Sequence, residues 1–310
     1  MNYTFNQLKV FTKIVQHKSI TKAAEELFLS QPAVSIQLKN FQDQFDYPLV
    51  EIINKRLYVT EFGFEIAKAA ENILHELELL DSMTAYKKDK LKGKFKIASV
   101  STGQYVIPSF LSEFLATNNE IEVELGISNK MIVLDALSAN EVDFAIISNI
   151  PKNLKVNHLR LASNYLYWVC NSSVEIKENS LDFIKKAPLI FREHGSSTRL
   201  MMEHFLKENK INDFCKIEVT ANEGVKQSVI SNIGISLLPL IGIRSELDNK
   251  VLQIIPVEGT PIQTEWYIIW HPMKKLSPVA EAFLSFLDEK SAEIEKANFS
   301  WITNYLKQKV

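Results

Sequence analysis

The sequence predicts an α/β protein built from three successive parts: a small helical region with a β-hairpin, one long helix, and a larger region of alternating strands and helices. In the first part, apolar residues recur at helical spacing, and two short β-branched runs follow them. In the second, apolar residues repeat every three or four positions over residues 66–80, with no glycine or proline between them. In the third, which begins after Gly93, short apolar runs alternate with amphipathic segments.

The composition is that of a globular protein. The chain has 310 residues, of which 46% are hydrophobic and 23% charged, and this length predicts two or three domains. The longest apolar stretch, residues 229–243, is interrupted by polar residues, glycine and proline, and falls short of a membrane span. The N-terminus lacks the pattern of a signal peptide. Because the two cysteines, Cys170 and Cys215, suggest no disulfide framework, we expect a cytoplasmic protein without a membrane partner.

Several enzyme classes are excluded by motifs that the sequence lacks. Neither a dinucleotide-binding G-x-G-x-x-G nor a phosphate-binding G-x-x-x-x-G-K-[ST] is present. The six histidines show no metal-ligand spacing, and no G-x-S-x-G motif accompanies His194-Gly195-Ser196. We interpret His194 as a hydrogen-bonding loop residue and expect no catalytic residue, metal or cofactor. An α/β enzyme or a solute-binding protein acting on a small anion is the alternative interpretation.

The first sixty residues predict a helix-turn-helix followed by a hairpin. Helical spacing covers residues 5–16, and Ser19 can cap a second short helix. Ser30 can cap a third helix over residues 31–46, with Pro32 in its first turn, where the missing N–H has no cost. Two short strands, 50–53 and 57–59, follow and are joined by a basic tip.

The third helix is polarised. Val34, Leu38, Phe41 and Phe45 form one buried stripe. A recognition helix enters the major groove by its N-terminal residues, and a basic hairpin tip suits phosphate contact. The side chains that this pattern predicts to contact DNA are Gln31, Pro32, Ser35, Ile36, Lys39, Lys55 and Arg56. An ordinary solvated face is the alternative.

The connecting helix has a near-heptad seam of apolar residues. Thr60 can cap it, and Glu61 favours the positive end of its dipole. The seam consists of Ile66, Ala69, Ile73, Leu77 and Leu80. It predicts either pairing with the same helix of a second chain, which we favour, or packing within its own domain. A symmetric dimer would match a two-fold DNA site.

The last two thirds of the chain predict parallel sheets covered by helices. The expected strands are 95–100, 121–127, 142–147, 166–170, 216–220, 235–238 and 266–270. The expected helices are 105–117, 130–139, 198–209, 223–231 and one from about residue 277. Two lobes fit this length better than a single sheet.

Hydroxyl-rich loops in this region lead into helix N-termini. Free N–H groups and the helix dipole favour an anion there, beyond the carboxyl ends of the strands. The predicted ligand-binding side chains are Ser99, Ser101, Thr102, Asn129, Ser148, Ser196, Ser197, Thr198, Thr220 and Asn222. For any single loop, simple helix capping is the alternative.

Two parts of the sequence resemble one family. Residues 19–35, S-I-T-K-A-A-E-E-L-F-L-S-Q-P-A-V-S, are similar to the helix-turn-helix of LysR-type transcriptional regulators. Residues 137–146, 192–199, 222–229, 234–239 and 275–278 are similar to the effector-binding domain of that family. Within the family, the chain most resembles the subgroup that regulates RuBisCO (Calvin-cycle) operons. The family resemblance adds Ser30 to the side chains predicted to contact DNA.

The resemblance implies a winged helix-turn-helix DNA-binding domain (1–60), a linker or dimerisation helix (61–92) and a two-lobed, periplasmic-binding-protein-like effector domain (93–290). The lobes would be 93–161 with 267–290, and 162–266, followed by a C-terminal extension, 291–310, with an extra amphipathic helix. It also implies a homodimer or homotetramer that binds double-stranded DNA and a small-molecule effector and acts on RNA polymerase.

The chain departs from the family at two places in its DNA-binding region. Ile36 stands where many members have arginine. Val50-Glu51-Ile52 replaces a Phe-Glu-Arg at the start of the hairpin. Since both changes remove a basic group, we expect weaker phosphate anchoring or a changed base preference.

Overall fold

The computed structural model describes residues 3–54, 56–86, 91–151, 154–176 and 179–308. The chain forms two compact units, Met1–Asp89 and Lys90–Val310. Among the described residues, no helix combines the length and apolarity needed to cross a membrane.

The first unit contains the predicted helix-turn-helix and hairpin. Its elements are α1 (Phe5–His17), α2 (Ile20–Glu26), α3 (Gln31–Gln42), β1 (Val50–Ile53), β2 (Arg56–Val59) and α4 (Glu61–Tyr86). The three predicted caps are confirmed. Ser19 Oγ accepts from Lys22 N at 3.3 Å and Ser30 Oγ from Ala33 N at 3.4 Å. Thr60 Oγ1 accepts from the backbone N–H of Gly63 at 2.9 Å.

The third helix is shorter than predicted. It ends at Gln42 rather than near Asp46. Beyond Gln42 the backbone hydrogen bonds span three residues instead of four, with Gln44 N donating to Phe41 O at 3.2 Å and Phe45 N to Gln42 O at 3.0 Å. The Gln42 side chain then serves the next element, because its Oε1 accepts from the backbone N–H groups of Leu49 at 3.2 Å and Val50 at 3.1 Å.

The buried stripe of α3 forms the centre of the first unit's core. Val34, Leu38 and Phe41 are buried as predicted, and Phe45 is half-buried. They pack with apolar residues of α1 and α2 and with Ala67 and Ala70 near the start of α4. The first turns of the long helix therefore belong to this core.

Gly63, in the first turn of α4, packs against the backbone of Leu49, the residue before β1. A Cβ at this position would lie 2.0 Å from the carbonyl oxygen of Leu49. We expect Gly63→Ala to destabilise the first unit by about 1–3 kcal/mol, as overpacking does elsewhere. Circular dichroism at 222 nm should show an early unfolding transition. The tryptophan-fluorescence transition should not move, since all four tryptophans lie in the second unit.

Gly126 provides the matched control for this prediction. A Cβ there would have Ile97 O as its nearest neighbour, at 3.9 Å, which is ordinary contact. Gly126→Ala should therefore leave the early part of the transition unchanged. Equal melting curves for wild type and Gly63→Ala would contradict the prediction.

The second unit is a mixed α/β structure. In chain order its elements are β3 (Gly93–Val100), α5 (Ile107–Thr117), β4 (Ile121–Ser128), α6 (Lys130–Ser138), β5 (Phe144–Ile147), β6 (Asn157–Asn171), α7 (Ser180–Lys186), β7 (Leu189–Arg192), α8 (Ser197–Glu208), β8 (Lys216–Val219), α9 (Asn222–Ile230), β9 (Ser236–Pro239), α10 (Arg244–Asp248), β10 (Leu252–Ile254), β11 (Ile262–Trp270) and α11 (Pro278–Gln308). The sequence did not predict α7, β7, α10 or β10, each of which is short.

The prediction of purely parallel sheets is wrong for half of this unit. Strands β3, β4 and β5 pair in parallel, as do β7 and β8. In the larger sheet, of order β10-β6-β11-β5-β3-β4, strands β6 and β11 pair antiparallel with each other, and β9 and β10 pair antiparallel with β6. The 15-residue β6 is much longer than the predicted strand 166–170, because it pairs with β11 over its first part and with β9 and β10 over its last part.

An irregularity marks the middle of this crossing pair. The register of β6 and β11 shifts between Trp266, which pairs with Ala162, and Tyr267, which pairs with Arg160. A β-bulge of this kind bends a strand and increases its twist. The shift in register lies at the position where the sequence predicts the two lobes to join. The boundaries of the lobes remain a prediction.

The chain ends in one long helix rather than in a separate extra helix. Helix α11 runs from Pro278 to Gln308, because no glycine or further proline interrupts it. Its distal part contributes to the core, with Phe299 and Ile302 buried. The Arg244 guanidinium lies 4.6 Å from the centre of the Trp301 ring, which ties this part of α11 to α10.

Candidate functional site

One side of α3 presents the predicted DNA-contacting face. Gln31, Pro32, Ile36 and Lys39 are exposed, and Ser35 is half-buried. The spacing of four and three residues between Pro32, Ile36 and Lys39 places these three on one side, away from the buried stripe. Ser30, also exposed, holds the first turn as its N-cap. The structure therefore groups the predicted residues of this helix on one surface.

The hairpin contributes one described basic side chain. Arg56 is exposed and pairs in register with Ile53. Lys55, predicted beside it, lies outside the described residues. The first strand of the hairpin exposes isoleucine, with Ile52 64% and Ile53 51% exposed. Among the described residues the hairpin thus has an apolar surface next to a single arginine.

Helices α1 and α2, which pack against α3, are joined by a charged contact. The carboxylate of Glu26 in α2 accepts hydrogen bonds from His17 and pairs with Lys13, both in α1. These hydrogen bonds lower the pKa of Glu26. The contact is therefore favourable while the carboxylate is charged, and it weakens as the pH falls through that lowered pKa.

A cleft in the second unit gathers polar groups at the carboxyl ends of three strands. Strand β3 leads into it at Val100, β4 at Ser128 and β7 at Arg192. The cleft is narrow, with a cavity volume of about 10 Å³. The lining residues are Val100, Ser101, Thr102, Asn129, Lys130, Arg192, Ser196, Ser197 and Thr198. Six of the ten predicted ligand-binding residues are among them.

Two helices point their N-termini into the cleft. Asn129 caps α6 by accepting from Ile132 N at 3.0 Å, and Ser196 caps α8 by accepting from Arg199 N at 3.5 Å. Capping thus accounts for these two side chains. It does not account for Ser197, whose Oγ is buried without a hydrogen-bond partner in the described part of the chain. A buried hydroxyl in this state is available to a ligand.

The cation of Arg192 is largely committed to protein partners. The buried guanidinium donates from Nε to Glu193 Oε2 at 2.7 Å and from Nη2 to Glu193 Oε1 at 2.8 Å. Nη2 also donates to Ser101 Oγ at 2.9 Å, across the cleft. Because Glu193 neutralises most of its charge, Arg192 contributes hydrogen bonds to the cleft more than it contributes net positive charge.

Lys130 is a cation of the cleft that has no counter-ion among the described residues. It is half-buried at the first position of α6, and none of the ion pairs among the described residues includes it. Burial lowers the pKa of its ammonium group. A cation that has lost solvent and gained no partner favours the arrival of an anion.

Side chains from segments far apart in the sequence also meet beside the cleft. Nδ2 of Asn222 donates to the Tyr105 hydroxyl at 3.1 Å, and Nη1 of Arg192 donates to Asn222 Oδ1 at 3.4 Å. Together with the bond from Arg192 to Ser101, these contacts join the segment after β3 to β7 and α9. Asn222, predicted to bind ligand, is not among the lining residues and instead bonds to Arg192 and Tyr105.

The remaining predicted residues do not line the cleft. Ser99 is fully buried, donates to Val100 O at 3.1 Å and packs against Gly103. Ser148 is buried at the end of β5, and Thr220 is exposed after β8. The position of a polar residue after a strand does not decide whether its side chain faces the ligand, since successive side chains along an extended chain point in opposite directions.

Lys130 and Arg192 were missed as site residues. Each is adjacent to a predicted group, Lys130 directly after Asn129 and Arg192 at the start of the second hydroxyl-rich loop. For Lys130 the available signal was its place at the first position of a helix, where a basic residue is unfavourable for the dipole.

A second arginine shapes the loop after β7. Arg199 donates from Nη1 to the Arg192 carbonyl oxygen at 3.0 Å and to Glu218 at 2.8 Å. Its Nη2 lies 3.1 Å from Nε2 of His194, which confirms His194 as a hydrogen-bonding loop residue. In the described part of the chain, no cluster of histidine, cysteine or acidic residues fits a metal ion.

Comparison with known families assigns both units. Residues 5–64 match the bacterial regulatory helix-turn-helix proteins of the lysR family, and residues 88–292 match the LysR substrate binding domain. The chain is 37% identical over 289 residues to the HTH-type transcriptional activator CmpR of Synechocystis, which covers 92% of this chain and 95% of CmpR. It is 34% identical over 295 residues to the RuBisCO operon transcriptional regulator of Acidithiobacillus ferrooxidans, covering 94% and 96%.

Two solved structures are similar. The Synechocystis CcmR regulatory domain, in complex with 2-PG, is 28% identical with a TM-score of 0.59 and covers 63% of this chain and 95% of its own. Full-length CbnR, with a TM-score of 0.67 at 18% identity, covers 93% and 99% and shows the same fold.

These similarities decide between the interpretations that the sequence left open. The relatives are named as transcriptional regulators, not as enzymes, and they span nearly the whole chain. The expected order of a winged helix-turn-helix, a long helix and an α/β effector-binding domain is confirmed. The chain belongs to the LysR family of transcriptional regulators and is related to the regulators of RuBisCO operons.

Proposed function

We propose that this regulator binds a two-fold DNA site through α3 and the hairpin, and that a small anion in the cleft between the lobes controls its action. The observation that carries the second part is the convergence of two helix N-termini with Lys130 on one cleft. Helix N-termini favour anions, and Lys130 adds a positive charge without a counter-ion among the described ion pairs.

The chemistry of the cleft favours a small acid with a phosphate or carboxylate group. Hydroxyls of Ser101, Thr102, Ser197 and Thr198 surround the two helix ends and can donate to its oxygens. The complex of the related CcmR domain with 2-PG supports a small-molecule ligand for this kind of domain. An effector-binding role for Ser99, Ser148 and Thr220 receives no such support.

Ligand binding would act through the contacts between the lobes. Arg192 bonds to Ser101, and Asn222 bonds to Tyr105, so both pairs respond to any relative motion of the lobes. A ligand shifts such an equilibrium only if it binds one arrangement more tightly than the other. An anion that accepts hydrogen bonds from both Arg192 and Ser101 binds more tightly to the arrangement of the lobes in which these two residues are close together.

Assembly is proposed on the basis of α4. Phe64 and Ile73 are 48% and 45% exposed on this long helix, which gives it an apolar surface beyond the part that packs in the first unit. The side chain of Leu80, the last seam residue, lies outside those described. We infer a homodimer formed through α4, its further assembly into a tetramer, action on RNA polymerase, and a cytoplasmic location. The domain boundaries in this proposal are those predicted from the sequence: 1–60, 61–92, 93–290 and 291–310.

DNA binding is tested with the full-length chain and a duplex from upstream of its own gene. Gln31→Ala should weaken binding about 5- to 150-fold if the amide reads a base edge, because a good bidentate pair contributes about 1–3 kcal/mol. Gln263→Ala, which removes an exposed glutamine from β11, is the matched control. Electrophoretic mobility shift at several salt concentrations measures both affinities.

The outcomes separate the two parts of the proposal. Equal affinity of wild type for this duplex and for random duplex contradicts the DNA part. Unchanged affinity of Gln31→Ala removes Gln31 from base readout. If inorganic phosphate and small phosphorylated acids change neither the melting temperature nor the DNA complex, the anion part is wrong.

A further inference from the structure

One apolar side chain stands in the middle of the DNA-contacting face. Ile36 is 59% exposed, one helical turn after Pro32 and almost one turn before Lys39. The same helix buries Val34, Leu38 and Phe41 on its other side. The direction of the Ile36 side chain is therefore away from the core of the first unit.

The chemistry of Ile36 restricts what it can recognise. Its neighbours on this face, Gln31, Ser35 and Lys39, carry hydrogen-bonding groups, whereas Ile36 has none. In the major groove, the apolar group that a base pair presents is the C5 methyl of thymine. A β-branched side chain is stiff in a helix, so holding it against a methyl group has a small entropic cost.

We propose that Ile36 contacts a thymine methyl group and makes the regulator prefer an A·T pair at that position of its site. This inference rests on the proposed binding of DNA through α3. Two further isoleucines, Ile52 and Ile53, are exposed on the hairpin beside Arg56.

The first experiment selects binding sites from a random duplex library with the full-length protein. Wild type should enrich sites with a thymine at one fixed position in each half-site. Ile36→Ala should enrich the same sites without a preference at that position, and Ile36→Val, which keeps an apolar β-branched side chain, should retain it. Ile233→Ala, at an isoleucine that is 50% exposed in the second unit, is the matched control.

The second experiment removes the methyl group from the DNA. Deoxyuridine replaces the selected thymine, which leaves base pairing intact and deletes only the C5 methyl. Wild type should lose affinity about fourfold, as expected for one buried methyl group. Ile36→Ala should bind both duplexes equally, because the partner of the methyl group is already gone.

The results distinguish failure of this inference from failure of the proposed function. No enrichment by wild type contradicts DNA binding itself. If wild type enriches sites but Ile36→Ala shows the same thymine preference, or if neither prefers thymine, the contact is wrong while DNA binding stands. The contact is also wrong if deoxyuridine substitution lowers the affinity of wild type and of Ile36→Ala equally. A change in oligomeric state of Ile36→Ala, measured by light scattering, with an unchanged base preference would assign this side chain to a protein contact and likewise overturn the proposal.

Discussion

Lys130→Gln is expected to lose ligand binding without loss of stability. A hydrogen bond to a charged group contributes about 1.5–3 kcal/mol, so affinity for inorganic phosphate should fall about 10- to 150-fold. The ligand-free protein should melt at the wild-type temperature or higher, because burial lowers the pKa of Lys130 and its charged form is therefore unfavourable in the folded state. Tryptophan-fluorescence melting with and without phosphate measures both effects.

Two further variants make this prediction specific. Lys290→Gln removes a surface cation that pairs with Glu293 at 2.7 Å and should retain phosphate binding. Lys130→Arg keeps the charge at all accessible pH values. In wild type, phosphate affinity should decrease as the pH rises through the lowered pKa of Lys130, since the bound anion favours the charged form; in Lys130→Arg this decrease should be absent. Wild-type affinity in Lys130→Gln would contradict the cleft as the binding site.

Lys274→Met is expected to cause a large loss of stability in the second unit. Its Nζ lies 3.1 Å from Asp143 Oδ1, and the two side chains are only 4% and 8% exposed. The same ammonium group donates to Val142 O at 2.9 Å. Removing one partner of a buried ion pair leaves an uncompensated charge, which costs about 3–5 kcal/mol. Urea unfolding followed by tryptophan fluorescence reports on this unit.

The partner substitution provides the internal control. Asp143 also accepts from Lys96 N at 2.8 Å, a bond that the amide oxygen of asparagine can accept as well. The double variant Asp143→Asn, Lys274→Met should therefore recover most of the lost stability. Lys275→Met, at the neighbouring exposed lysine, should unfold like wild type. If Lys274→Met also unfolds like wild type, the pair does not stabilise the fold.

Most of the DNA-binding unit was predictable because its signals are local. The caps at Ser19, Ser30 and Thr60 depend on hydrogen bonds that span three residues. The buried stripe of α3 depends on helical periodicity alone. The end of α3 was misjudged because Gln42 bonds to a segment seven residues further along, which no periodic pattern reveals.

The cleft was predicted in kind but only partly in its members. The rule that ligands lie beyond the carboxyl ends of strands located Ser101, Asn129 and Ser196 in advance. It also included Ser99 and Thr220, because it ignores which way each side chain points. It did not identify Lys130, whose importance depends on its burial and on the lack of a counter-ion in the part of the chain that the structure describes.

By itself, the sequence determined the helix-turn-helix, the long helix and the family, since these depend on residue identity at short and fixed spacing. Only the tertiary structure decided that β6 and β11 pair antiparallel side by side, and that Arg192 reaches Ser101, 91 residues away. Such contacts depend on how distant segments pair, and the free energy that selects one pairing is distributed over the whole core rather than encoded at either end.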